Sequence, residues 1–169
     1  MRYLVWLVTF SSILFAHPHV FVDAHVDVQS DKILLVFSFD EMTSSMLMSD
    51  YDKNKDKKLD DKEIAFMKKD HFNTLAPYSY FCHIFDGTDE LDITTVNDFF
   101  AAFQDNKVIY IFSIPKPKLK HYELRFYDGE MYVAMVVRPE FITCKSPITC
   151  KVEGYDADFY YGYKVSINE

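Results

Sequence analysis

The chain has 169 residues and a formal net charge of −8 at pH 7. This acidic surplus argues against nucleic acid or an anionic membrane as a partner, and it suits divalent cations. Aromatic residues are abundant, with 16 Phe and 12 Tyr, whereas there are only 4 Gly. The composition therefore favours a β-rich core, in a chain long enough to form one domain.

The first sixteen residues have the pattern of a secretory signal peptide. Arg2 supplies the positive charge, Tyr3–Phe15 forms the apolar stretch, and cleavage after Ala16 leaves residues 17–169. The apolar stretch is short for a membrane-spanning helix. We therefore expect a soluble, exported, periplasmic protein with a single domain. The alternative is an N-terminal anchor that is never cut.

Short runs of β-branched and aromatic residues follow, separated by turn signals such as Asp86-Gly87 and Asp128-Gly129. They predict a mainly β fold, with a β-sandwich-like domain preceded by the signal-peptide helix. In the first of these runs, alternate residues from Val20 to Val28 are apolar, which is typical of a half-buried strand. The predicted strands are His19–Gln29, Lys32–Phe39, Tyr78–Phe85, Leu91–Asn97, Asp98–Gln104, Lys107–Ile114, His121–Tyr127, Met131–Arg138, Ile148–Gly154 and Phe159–Ser166.

Two helices are predicted between the second and third strands, at about residues 41–75. The first covers Glu41–Tyr51 and the second Asp61–Leu75, before Pro77 ends the helical pattern. This insertion has the form of an EF-hand-like helix–loop–helix.

The twelve residues between these helices match an EF-hand calcium loop. Oxygen-bearing side chains stand at positions 1, 3, 5, 9 and 12, and position 7 offers its backbone carbonyl. These calcium positions are Asp52, Asn54, Asp56, Asp60 and Glu63, with Lys58 at position 7. Lys57 occupies position 6, where Gly is expected, and its left-handed backbone should cost about 1–2 kcal/mol. We expect weak affinity, roughly 0.1–1 mM; the alternative is a solvated, charged turn.

Histidines are concentrated at the start of the predicted mature chain, which opens H-P-H-V-F-V-D-A-H from His17. With the period of a strand, four potential metal ligands share one face. Their imidazole nitrogens suit nickel, cobalt, zinc or copper, and the amine of the first residue favours copper. These candidate ligands are His17, His19, Asp23 and His25. The alternative is the solvated polar face of an edge strand.

Three cysteines follow the predicted cleavage point. Cys144 and Cys150 lie close together across a short loop, and a disulfide between them suits an oxidising compartment. Cys82 is then a buried core thiol. The alternative for the pair is two unlinked thiols.

Several segments resemble a bacterial family of unknown function, number 1007 in the domain-of-unknown-function series. They are H-P-H-V-F-V-D-A after the signal peptide, F-S-F-D-E at Phe37–Glu41, the acidic loop, L-A-P-Y-S-Y-F at Leu75–Phe81 and Y-D-G-E-M-Y-V-A at Tyr127–Ala134. Members of this family are described as periplasmic components of an uncharacterised ABC-type transport system, encoded beside permeases that look like nickel/cobalt transporters. The resemblance implies an accessory protein that binds a transition metal and works with an inner-membrane metal permease.

The residues and the resemblance together predict an exported metal-binding accessory protein that assists transition-metal transport and carries a structural calcium loop. The alternative is a calcium-stabilised periplasmic interaction module with no transition-metal role. An enzyme is not expected, because no nucleophile elbow, phosphate-binding loop or helical H-E-x-x-H motif is present. The enzyme class that stays open is a copper-dependent oxidase that uses the opening histidines.

Overall fold

The structure, a computed structural model, describes residues 20–157 and 160–169. The predicted signal peptide, His17 and His19 lie outside these residues. The elements of the described chain are β1 (Val20–Val28), β2 (Lys32–Phe39), α1 (Glu41–Tyr51), α2 (Asp61–Asp70), a first 3₁₀ helix (Phe72–Phe81), β3 (Cys82–Asp86), β4 (Asp89–Leu91), β5 (Asn97–Gln104), β6 (Lys107–Pro115), β7 (His121–Phe126), β8 (Val133–Val136), a second 3₁₀ helix (Pro139–Phe141), β9 (Ile142–Cys144), β10 (Thr149–Ala157) and β11 (Tyr160–Asn168).

These strands form two sheets, and the prediction of a mainly β protein is confirmed. The first sheet has the order β5-β6-β2-β1-β8, and the short β9 also pairs with β1. The second sheet has the order β10-β11-β7-β3-β4. Pairing is antiparallel, except that β8 and β9 both run parallel to β1 along the same edge.

Alternation of side chains places one face of each central strand in the core. On β1 the residues Val22, Ala24, Val26 and Val28 are buried, as the sequence predicts. The same alternation occurs along β2, β6 and β7, and both sheets contribute to one cluster of buried apolar side chains. Burial of this cluster supplies the main stabilisation, at about 25 cal/mol per Å² of apolar surface.

The two helices lie between β2 and β3, where the insertion was predicted. Ser44 of α1 is fully buried, donating a hydrogen bond to the carbonyl of Phe39 and accepting one from the N–H of Val108. One hydroxyl therefore connects α1 to both β2 and β6.

An aromatic cluster fastens the far end of the insertion to the first sheet. Phe72, which is only 1% exposed, follows α2 and packs at centroid distances of 4.2 Å on Phe99 and 5.0 Å on Phe112. Tyr110 and Tyr80 complete the contacts of this ring. The cluster joins the first 3₁₀ helix to β5 and β6.

The segment after α2 differs from the prediction. The helix ends at Asp70 rather than Leu75, and the predicted strand from Tyr78 begins only at Cys82. Between them the chain forms a 3₁₀ segment that is interrupted by a left-handed turn, in which Ser79, Tyr80 and Phe81 have φ values of 50°, 53° and 59°. Left-handed backbone is rarely adopted by residues other than Gly, so this turn could not be predicted from its residues.

Two further details of the β prediction are wrong. The strand predicted at Leu91–Asn97 is absent; β4 is limited to Asp89–Leu91, and residues 92–96 are irregular. The three-residue strand β9 was missed because it is shorter than any periodic pattern can reveal. In the described part of the chain, no helix combines the length and the apolarity needed to cross a membrane.

Gly162 marks the closest approach between β11 and the end of β7. A Cβ atom at this position would overlap the carbonyl oxygen of Phe126 and would lie 2.8 Å from the Cβ atom of Tyr127. A backbone carbonyl cannot move aside as a flexible side chain can, so only glycine fits here.

Replacing Gly162 with Ala should therefore lower the free energy of unfolding by about 3 kcal/mol, the upper end of overpacking costs. Gly87→Ala is the matched control, because Gly87 has a φ of 62° but open space around it. That change should cost only about 1 kcal/mol. Denaturant unfolding of both variants measures the difference, and equal losses would contradict the close approach.

Candidate metal sites

The insertion begins at Asp40, which caps α1. Its carboxylate accepts hydrogen bonds from the N–H of Thr43 at 2.9 Å and from the N–H of Phe21 on β1, also at 2.9 Å. Burial raises the pKa of Asp40, but the hydrogen bonds from Phe21 and Thr43 outweigh it and leave the pKa lowered. Asp40 and Glu41, the acidic residues that follow β2, therefore start the predicted helix Glu41–Tyr51.

Side chains of the predicted calcium loop bond to the loop's own backbone. The Asp52 carboxylate accepts hydrogen bonds from the N–H groups of Asp56 and Lys57, at 3.2 and 3.0 Å. Asn54 Oδ1 accepts from the same Asp56 N–H at 2.8 Å, and Asp56 Oδ1 accepts from the N–H of Lys58 at 2.8 Å. These hydrogen bonds hold the side chains of Asp52, Asn54 and Asp56, the first three predicted calcium ligands, in fixed positions. Asp52 and Asn54 both accept a hydrogen bond from the N–H of Asp56.

Glu63, at the last position of the loop, connects its two ends. Its side chain is buried, with 6% exposed. Oε1 accepts hydrogen bonds from the N–H groups of Lys53 and Asn54, and Oε2 accepts one from Asp60. The Asp60 carboxylate in turn accepts from the N–H of Glu63 at 2.9 Å, which completes a capping box at the start of α2.

The loop backbone is left-handed at two non-glycine positions. Lys57, at position 6, has a φ of 63°, and Lys55, at position 4, has a φ of 61°. The first is the strained residue that the sequence predicts, whereas the second was missed. Each lysine in this conformation costs about 1–2 kcal/mol relative to glycine.

A tyrosine joins the C-terminal ends of α1 and α2. The Tyr51 hydroxyl donates a hydrogen bond to Asp70 Oδ2 at 2.8 Å, and burial together with this carboxylate raises the pKa of Tyr51 to about 12. The next residue, His71, has its Nδ1 atom 3.0 Å from the hydroxyl of Tyr110 on β6. Burial lowers the pKa of His71, although Asp70 opposes it, so the neutral ring is favoured as a partner for that hydroxyl.

The outward face of β1 carries Asp23 and His25, the two predicted transition-metal ligands that the structure describes. Asp23 lies 3.7 Å from Lys107 Nζ and 3.7 Å from Arg138 Nη2. The ring of His25 stacks on Phe141 with 3.9 Å between centroids. Burial and Arg138 lower the pKa of His25, whereas Asp23 raises it. Metal binding by Asp23 would compete with its ion pairs, whereas the stacking uses the face of the His25 ring and not its nitrogen atoms.

The stacking of His25 follows from an interruption at the edge of the first sheet. β8 pairs with the start of β1 and β9 with its end. The second 3₁₀ helix, Pro139–Phe141, spans the gap between them and brings Phe141 beside His25.

As the side chains stand, the described residues contain no group of three or more His, Cys, Asp or Glu that could hold a metal ion. In the acidic loop, the carboxylates satisfy backbone N–H groups instead. The single histidines have local partners. His83 stacks on Tyr127 and contacts Glu90, and His121 bonds to Asn168.

A disulfide joins Cys144 to Cys150, with 6.2 Å between the Cα atoms. Since Cys144 ends β9 and Cys150 lies at the start of β10, the bond connects the first sheet to the second. Cys82 is a free, fully buried thiol, and burial raises its pKa.

Comparison with known proteins assigns a family. A profile described as a protein of unknown function (DUF1007) matches residues 3–160. The chain belongs to the DUF1007 family. It is also 33% identical, over 97 residues, to an uncharacterised 15.5 kDa protein from the 3′ region of trpE in Spirochaeta aurantia. This similarity covers 53% of the present chain and 67% of the relative. The family match includes the acidic loop and the opening histidines.

A hollow of about 470 Å³, which we call the aromatic groove, was not anticipated from the sequence. Its aromatic walls are Phe21, Tyr132, Tyr160, Tyr161 and Tyr163. They come from β1, β11 and the turn before β8. The tyrosine-rich runs Y-D-G-E-M-Y and Y-Y-G-Y were visible in the sequence, but their closeness depends on the contact between the two sheets.

The strained loop backbone can be tested with a matched pair of variants. Lys57→Gly and Lys58→Gly each remove one positive charge, but only Lys57 has a positive φ. Lys57→Gly should raise the free energy of unfolding by about 1 kcal/mol because it relieves strain, whereas Lys58→Gly should lower it by about 0.5–1 kcal/mol through backbone entropy. Thermal or denaturant unfolding checks the opposite signs. The same sign in both variants would contradict the left-handed backbone.

Proposed function

We propose that this protein is an exported, β-sandwich-like domain whose EF-hand-like helix–loop–helix binds one calcium ion. The observation that carries the proposal is the backbone at Lys57. EF-hand loops need a sharp turn at position 6, normally made by Gly, and here a lysine adopts that turn despite its cost. The loop therefore has the backbone turn of an EF-hand at position 6 as well as the spacing of its oxygen ligands.

The donor set of the loop suits calcium rather than a transition metal. Calcium is a hard cation that takes six to eight oxygen ligands, and the loop offers carboxylates, one amide oxygen and a backbone carbonyl. Hydrogen bonds to the loop backbone already restrict Asp52, Asn54 and Asp56, so little side-chain entropy remains to be lost on binding.

Weak affinity is the expected consequence of two other features. The loop carries five lysines, which offset its negative field: Lys53, Lys55, Lys57, Lys58 and Lys62. In addition, Glu63 Oε1 already accepts two N–H groups, so bidentate coordination must displace at least one hydrogen bond. We propose a dissociation constant in the range of extracellular calcium modules, about 0.1–1 mM.

Calcium would act on the structure chiefly by fixing the angle between the two helices. The C-terminal ends of α1 and α2 are already joined by the bond from Tyr51 to Asp70. A bound ion would fix the loop that connects the C-terminal end of α1 to the N-terminal end of α2, and the helix pair would become a rigid unit on the first sheet. We therefore propose a structural role for the ion, with the resulting surface serving an interaction.

Calcium at about 100 times its dissociation constant should stabilise the protein by about 2.7 kcal/mol. Glu63→Gln should abolish this stabilisation, because it removes the carboxylate at position 12. Asp61→Asn is the matched control, since it removes one negative charge at position 10, which supplies no ligand. Thermal unfolding without calcium and with calcium titrated to about 10–100 mM, which is 100 times the expected dissociation constant, measures the effect. An equal calcium response in Glu63→Gln and the unmodified protein would refute the site.

We propose, as a second candidate, that the opening histidines bind nickel, cobalt, zinc or copper and assist a periplasmic transport process. One observation favours it. The odd-numbered residues of β1 face away from the core, so side chains on this face can reach a metal ion in solution. The proposed ligands are His17, His19, Asp23 and His25, together with the amine created by cleavage; Asp23 would have to leave its ion pairs with Lys107 and Arg138. An inner-membrane metal permease is the proposed partner.

Calorimetric titration of the exported protein with nickel, copper and zinc tests this candidate. His17→Ala/His19→Ala should lose binding, whereas His121→Ala, on β7 of the second sheet, is the control that should retain it. Sequencing the N-terminus should give His17. Unchanged affinity in the double variant would eliminate the opening histidines and favour a calcium-stabilised interaction module without a transition-metal role.

A further inference from the structure

We propose that the aromatic groove binds a small organic ammonium cation, a function separate from calcium binding. The proposal does not depend on the acidic loop or the opening histidines. It rests on the walls of the groove, on the charges beside it and on the way its turn is fixed.

The walls of the groove expose large aromatic side chains at one place. Tyr161 is 67% exposed, Tyr132 57% and Phe21 50%. Such clustering in a protein is unusual and generally marks a binding surface. The face of each neutral ring has a negative electrostatic potential because of the ring quadrupole. Rings around a hollow therefore attract a cation within about 6 Å of their centroids.

Charged groups beside these rings select a cation. Asp128 and Glu130 both line the groove, and no lysine or arginine is among its described lining residues. The whole chain adds to this field with its net charge of −8. An anion would be repelled, and a neutral apolar ligand would gain nothing from the carboxylates.

One wall of the groove, the turn from Asp128 to Val133, is also held in shape by hydrogen bonds before any ligand arrives. The Asp128 carboxylate accepts hydrogen bonds from the N–H groups of Glu130, Met131 and Val133, at distances of 2.8–3.0 Å. Within this turn Tyr132 has a φ of 60°, a costly conformation that sets the direction of its side chain. Rigid walls reduce the entropy that binding would otherwise cost.

The second sheet already holds a cation between aromatic rings. The guanidinium carbon of Arg125 lies 3.7 Å from the centroid of Phe85 and 4.9 Å from that of Tyr155. Glu123 supplies the carboxylate, at 2.7 Å from Arg125 Nη2. The aromatic groove offers the same combination of aromatic rings and carboxylates, but no lysine or arginine is among its described lining residues.

The size of the groove indicates a small molecule. Its volume of about 470 Å³ lies within the range of about 300–1,000 Å³ that is typical of small-molecule sites. A trimethylammonium group fills only part of this space, so the natural ligand should carry a larger body. Choline is the simplest probe of the cation-binding walls.

Calorimetric titration of the exported protein compares choline with its uncharged carbon isostere, in which a tert-butyl group replaces trimethylammonium. Choline should bind at least about tenfold more tightly, because only the charged group interacts with ring faces and carboxylates. Equal affinity for both compounds would overturn the proposal, as would the absence of choline binding.

Variants then locate the site. Tyr161→Leu and Glu130→Gln should each weaken choline binding severalfold, while Tyr161→Phe should retain it because the ring remains. Phe100→Leu is the matched control, since Phe100 is 48% exposed on β5, at the opposite edge of the first sheet from β8. Circular dichroism melting curves check that each variant is folded. Equal losses in Tyr161→Leu and Phe100→Leu would show that the groove is not the site.

Discussion

The packing of Phe72 against Phe99, Tyr110 and Phe112 is the contact on which the arrangement of the helices depends. Aromatic pairs of this kind add about 0.5–1.5 kcal/mol each to the stabilisation from buried area. Because Phe72 directly follows α2, its burial fixes the end of the helix pair on β5 and β6. Ser44 fixes the beginning on β2 and β6. The acidic loop is therefore carried by two helices that are anchored separately to the same sheet.

The two sites proposed for the described residues both take cations, but by different physics. The acidic loop offers oxygen atoms of fixed spacing, which suit a hard, strongly hydrated ion. The aromatic groove offers polarisable ring faces with two carboxylates beside them, which suit a bulky and weakly hydrated ion. The overall charge of −8 attracts both kinds. The electrostatic field of the whole protein would act on both ions alike, so the side chains at each site would determine which ion binds there.

Much of the fold could be predicted because its strands alternate regularly and its helices carry ordinary capping and stop signals. β1, β2, β6 and both helices follow from these local patterns. The left-handed turn at Ser79, Tyr80 and Phe81 could not, because residues other than Gly rarely adopt this backbone and no local pattern marks it. In the acidic loop the spacing of the oxygens was visible. The engagement of Asp23 with Lys107 and Arg138, and of His25 with Phe141, depends on residues more than eighty positions away along the chain. The aromatic groove depends likewise on the meeting of both sheets.

The interrupted edge beside β1 has a consequence for how the protein behaves in a crowded compartment. A long exposed strand presents a row of free N–H and C=O groups and can recruit another chain into a growing sheet. Here the edge consists of two short strands, β8 and β9, separated by a helical turn that starts with Pro139. Neither strand is long enough to template a stable addition, and the disulfide at Cys144 ties β9 to the neighbouring sheet. This edge is thereby protected against intermolecular strand pairing and the aggregation that follows from it.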